Sequence, residues 1–161
     1  MRPAAAIALV IVLAGCGGGE PVARVGDEQI SEEKVEQLVE HFEEEFAREG
    51  REFPAKGSAG YETVERQVLG LLVFRAQLEQ AAAKLGIEVD EEEVEERLSE
   101  SEEASEEGEG EEGEAYFENA MRIQLLREKV AAELGGIEEL NDWVAKARKE
   151  IPVEYEEGWE P

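Results

Sequence analysis

The chain carries one thiol, Cys16, and the residues before it suit one kind of chemistry. It follows Leu13-Ala14-Gly15. Small side chains at 14 and 15 let the backbone enter a peptidase, and the thiol of Cys16 can carry a diacylglyceryl thioether. With a single cysteine there is no intrachain disulfide. The only histidine, His41, stands four residues before Glu45, which would put two metal ligands on one helix face. No third ligand has suitable spacing, so His41 is expected to be a solvent-facing helix residue. A serine nucleophile is not supported: Ser31 sits where a helix cap belongs, Ser58 lies in a loop, and the remaining serines cluster near an acidic segment. Glutamate pairs are so abundant that no one pair is specific. Gly17–Gly19 and the glycines of 108–113 do not form a phosphate loop. The expectation is a protein with no catalytic residue, no metal and no cofactor.

The thiol is placed by its leader. Arg2 supplies a positive start, and Pro3 is followed by the apolar run Ala4–Ala14. That is the build of a secretory signal peptide over residues 1–15, too short for a standard membrane span. Leu13-Ala14-Gly15-Cys16 resembles the bacterial lipobox, which implies lipidation at Cys16 and a mature chain beginning there. Two or more acyl chains anchor a protein stably. Residues 16–21 then read as a flexible tether. The expected location is the cell membrane, lipid-anchored and facing the periplasm or the extracellular side. A plain secretory signal with an incidental cysteine, or an uncleaved anchor, remains the alternative.

Composition narrows the partners. Forty-two Asp and Glu oppose 16 Lys and Arg, for a formal charge of −26 over 161 residues. Phosphate contacts need clustered cations, so nucleic acid and anionic headgroups are excluded as default partners. Much of the acidity is a solvated surface that keeps the chain soluble.

The elements are organised around Tyr61–Leu85. Val64, Val68, Leu71, Leu78, Ala82 and Leu85 form one stripe, and Leu69, Leu72, Val73 and Ala76 form a second beside it. A helix apolar on most sides must be covered from several directions, so this is the expected central helix of a small bundle. Gly86 ends it and lets Ile87 fold back. Before it, Val22–Val25 and Gln29-Ile30 flank the turn Gly26-Asp27-Glu28, a small hairpin. Ser31 caps a helix whose face carries Val35, Leu38, Val39, Phe42 and Phe46, with Gly50 near its end. Residues 51–60 read as a loop. After the central helix, Asp90 and Glu93 form a capping box, and Val94 and Leu98 edge a short helix. Residues 99–114 hold almost nothing but Glu, Ser and Gly, and read as an acidic low-complexity linker with no apolar surface to offset its ordering entropy. Ala115–Leu134 and Ile137–Glu150 are helices separated by Gly135-Gly136. Pro152 stops the second, and Val153–Tyr155 is a strand able to pair with Val22–Val25. The fold class expected is mainly α: about five helices with a minor β pairing between the terminal regions.

The order of these pieces resembles the N-terminal domain of the SurA/PrsA-type extracytoplasmic foldases. The stretches that carry the resemblance are Val22–Ser31, then Val68–Val73 leading into Ala81–Val94, then Ile123–Val130. The likeness covers Val22 to about Tyr155 and implies one chaperone domain over 22–161. Many members of that family insert parvulin-type prolyl isomerase domains before the last helix. Here Gly135-Gly136 leads straight into Ile137–Glu150, leaving no room for a module of roughly 90–100 residues. The resemblance therefore implies a client-binding module without isomerase chemistry.

A client-binding role would draw on Phe42, Phe46, Phe53, Phe74, Tyr116, Phe117 and Met121, whose aromatic and thioether surfaces suit varied partners. They are expected to line a groove between helices that holds unfolded or extended secreted polypeptides. The plainer alternative is that most of them fill the core. An adaptor that docks one folded envelope partner through the same helices is the other functional reading.

Overall fold

The computed structural model describes residues 19–100 and 111–160. The expected signal peptide, Cys16, Gly17-Gly18 and the middle of the acidic segment lie outside the described residues. The elements run β1 (Pro21–Val25), β2 (Glu28–Ser31), α1 (Glu32–Arg48), α2 (Ala59–Ala83), α3 (Glu91–Glu100), α4 (Glu111–Leu134), α5 (Ile137–Glu150) and β3 (Val153–Tyr155). The three strands form one antiparallel sheet in the order β2-β1-β3, with Val25 opposite Val153 and Ala23 opposite Tyr155. The expected pairing of the terminal strands is present.

Regular structure begins inside the stretch read as a tether. The Glu20 carbonyl accepts a hydrogen bond from the Glu32 amide at 3.0 Å, and Pro21 opens β1. Proline has no amide to give to a ladder and suits the first position of a strand. The hairpin turns at Gly26, whose φ of 54° is left-handed. Gln80 of α2 presses against that turn and donates from Nε2 to the Val25 carbonyl at 2.6 Å.

Serine and glycine punctuate the helices. The Ser31 hydroxyl accepts from the Lys34 amide, and Gly50 closes α1 with φ 67°. Ser58, read as a loop residue, is the N-cap of α2: its hydroxyl accepts from the Tyr61 amide at 3.2 Å. The far end of α2 corrects one expectation. The helix stops at Ala83, Gly86 turns with φ 73°, and the Ile87 amide donates back to the Ala82 carbonyl. Leu85 therefore leaves the core stripe and is 41% exposed. In the capping box, Asp90 accepts from the Glu93 amide at 2.9 Å, but the Glu93 carboxylate pairs with Lys129 of α4 instead of returning to the cap. α5 keeps the expected bounds between Gly136 and Ile151.

α2 is central, touching α1, α4, α5, β1 and β2. It divides the apolar interior into two clusters. One gathers Val25, Ile30, Val35, Leu38, Leu69 and Leu72 from the sheet, α1 and α2. The other gathers Leu78, Ala82, Leu126, Val130 and Leu140 from α2, α4 and α5. Buried Gln77 fastens the end of α5, donating to the carbonyls of Arg148 and Ile151 at 3.2 and 3.1 Å. A buried amide with both donors used stabilises rather than costs.

Candidate functional site

The seven residues expected to share a groove fall into separate places. Phe42 of α1 meets Tyr116 of α4 edge to face at 5.1 Å, and Tyr116 meets Phe117 at 5.6 Å. One turn further along α1, Phe46 stands edge-on to Phe53 at 5.3 Å, and Phe53 reaches the buried Tyr61 at 6.1 Å. Arg51 lies over the Phe46 ring at 3.9 Å, a cation–π contact. Phe42, Phe46, Phe53, Tyr116 and Phe117 thus form a half-buried row of rings along the outside of the first core cluster. Met121 follows Phe117 by one turn of α4 and is also half-buried. Phe74 stands apart, packed on the second cluster with Arg148 over its ring at 5.9 Å.

His41 is not solvent-facing. It is 1% exposed, stacked on Tyr116 at 5.1 Å and edge-on to Phe117 at 5.9 Å. The position follows from helix geometry: His41 is three residues beyond buried Leu38 and shares the face that α1 turns toward α4. Among the described residues, no group of three or more His, Cys, Asp or Glu side chains is placed to hold a metal ion.

A polar knot joins the elements beside the rings, and nothing in the residue pattern announced it. Arg75 of α2 is ion-paired with Glu28 of β2 and donates to Asn119 of α4 at 2.8 Å. Glu79, one turn on, lies 3.6 Å from both Arg75 and Arg122. Arg122 in turn donates to the Val89 carbonyl at 2.8 Å, tying down the α2–α3 link. Burial pushes the Glu79 carboxyl above its usual range, with Arg75 opposing. Burial also holds the Lys34 ammonium below its usual range, and the Arg75 charge adds to that. A buried charge needs such partners, and the knot fixes β2, α2 and α4 relative to one another.

Two surface grooves flank α4, and neither is lined by the seven residues. The first, about 370 Å³, runs between α4 and α5; Ile123, Ala131, Ile137 and Leu140 make its apolar wall, with Arg127 and Glu128 at the rim. Ile137 is 63% exposed at its mouth, while Leu140 is 1% exposed at its floor. Gly135-Gly136 puts Ile137 there by starting α5 at the surface, three residues before the helix reaches the core. The second groove, about 530 Å³, lies where the β1–β2 turn, the end of α2, the α2–α3 link and α4 meet. Ala83, Ile87, Val89 and Leu126 give it an apolar floor, and Asp27, Glu28, Glu79 and Glu88 stand around it with Arg122.

The apolar wall of the first groove is open to solvent along its length between α4 and α5. The family model described as SurA-like N-terminal domain matches residues 4–129, and no parvulin domain is detected in the 161 residues. No curated protein and no solved structure matches the chain significantly.

Proposed function

Because the chain belongs to the SurA-like N-terminal domain family, we propose that it is a chaperone-type module that holds unfolded or extended secreted polypeptides and does no isomerisation. The observation that carries this reading is the α4–α5 groove, an aliphatic channel with Ile137 63% exposed at its mouth. Large aliphatic side chains in a groove mark surfaces that other chains cover. The half-buried row from Phe46 to Phe117 offers a second apolar face, made by α1, Phe53 and the early turns of α4. In this proposal the signal segment directs export and is removed, and a lipid on Cys16 holds the module on the outer side of a membrane, so that clients are met as they emerge. Mass spectrometry of the membrane-extracted protein tests the anchor: a diacylglyceryl mass on Cys16 is expected, and an unmodified mature N-terminus rejects it.

The holding activity is tested with residues 17–161, which retain every described element. The fragment should suppress aggregation of a reduced, unfolded model protein. Unchanged aggregation at stoichiometric excess would refute the reading. Capture of one folded partner at fixed stoichiometry, with no effect on unfolded proteins, would favour the adaptor instead.

A further inference from the structure

The second groove differs from the first in its charge, and that difference selects a partner. Its floor is aliphatic, from Ala83, Ile87, Val89 and Leu126. Arg122 is part of its lining, and the cations that approach it from α2 and α4 are engaged, while Lys84 beside Ala83 is exposed and in no ion pair among the described residues. Arg75 is held by Glu28, Arg122 by Glu79 and the Val89 carbonyl, and Lys129 by Glu93 and the Glu88 carbonyl. Glu28 and Glu79 are likewise committed to the knot. That leaves Asp27 on the hairpin turn and Glu88 on the link, both exposed and in no ion pair among the described residues. Two uncommitted carboxylates thus stand at the edge of an apolar trough.

We infer that this groove docks extended polypeptide segments in which lysine or arginine neighbours aliphatic residues. The long stem of a lysine or arginine lies along Ile87, Val89 and Leu126, and its charged head meets Asp27 and Glu88 in water at the rim. Long cationic side chains cover apolar surface in this way while keeping their charge solvated. The net charge of −26 acts in the same direction at long range: it draws cationic segments in and repels acidic ones. The inference rests on the client-holding reading and names which clients this groove takes.

Three unstructured peptides of equal length test it, with identical aliphatic residues and either Lys, Gln or Glu between them. Their affinities for residues 17–161 are measured by fluorescence anisotropy at low salt. The Lys peptide should bind tightest and the Glu peptide weakest. Asp27→Asn with Glu88→Gln should reduce the Lys advantage by roughly twofold to thirtyfold, the range for two exposed ion pairs. A charge-matched control, Glu43→Gln with Glu44→Gln on the exposed side of α1, should leave most of that advantage in place. Both pairs lie on exposed positions, and circular dichroism checks that each variant is folded. Equal loss in the two double variants would assign the preference to overall charge and overturn the groove. Equal binding of the Lys and Gln peptides would overturn it too. If no peptide binds while aggregation is still suppressed, the groove inference fails and client holding stands; if suppression is also absent, both fail.

Discussion

Ile137 and Leu140 line the same groove but differ in what supports them, and replacing each separates holding from folding. Ile137 is 63% exposed, so only about a third of its side chain is buried; at about 1.5–3 kcal/mol for full burial, its contacts contribute about 0.5–1 kcal/mol. Ile137→Ser should therefore shift the urea midpoint only slightly, since serine is tolerated in a first helical turn. A client that covers the remaining two thirds gains about 1–2 kcal/mol from it, so the variant should bind an apolar peptide about fivefold to thirtyfold more weakly. Leu140 is 1% exposed and sits in the second core cluster, so Leu140→Ala should cost about 2–5 kcal/mol of stability through lost transfer energy and a cavity. Anisotropy with one labelled apolar peptide reads the binding, and urea unfolding reads the stability. The reasoning is refuted if Ile137→Ser binds the peptide as tightly as the parent, or if its loss of binding merely follows a loss of fold.

Other substitutions test the frame around the grooves. Gly26→Ala should destabilise by about 1–3 kcal/mol in urea unfolding, because φ is 54° and a Cβ would come within 2.0 Å of the Gln80 side-chain oxygen. Lys34→Met should stabilise at neutral pH: burial lowers the folded ammonium's pKa below its unfolded value, so the charged form is a cost to the fold there. That cost fades as pH rises from the lowered folded value toward 10.5, so the gap between variant and parent in urea midpoint should narrow over that window. Gly136→Ser should raise the unfolding free energy by about 0.5–1 kcal/mol in urea, since Gly136 gives α5 no side-chain cap and its φ of 161° suits any residue.

Much of the frame was legible because punctuation is local. Ser31, Gly86, Gly135-Gly136 and Pro152 act on their immediate neighbours, and α5 kept its expected bounds between two of them. The pairing of Val153–Tyr155 with β1 was also readable, since both strands alternate and each needs a partner. His41 was misplaced because a polar residue type hid its position on the buried face, although its spacing from Leu38 was there to be read. Leu85 was misplaced because the apolar period runs past the residue where the backbone turns. The knot around Arg75 was invisible: Glu28 and Asn119 lie far away in sequence, and a glutamate-rich chain offers Arg75 many equal partners. Neither aromatic type nor helical spacing says whether rings face a groove or one another.

The sheet has one more effect, on the order of assembly. β1 is the middle strand, flanked on one side by its hairpin partner and on the other by β3. A chain made from its amino end delivers Val25 early and Val153 only after α1 to α5 have been produced. A lone two-stranded hairpin is marginal in water, and closing so long a loop carries an entropic cost that later contacts must offset. The opening strand therefore waits, half-zipped, for the last one. A product clipped before residue 153 keeps an open backbone edge on β1, a ready target for aggregation or proteolysis.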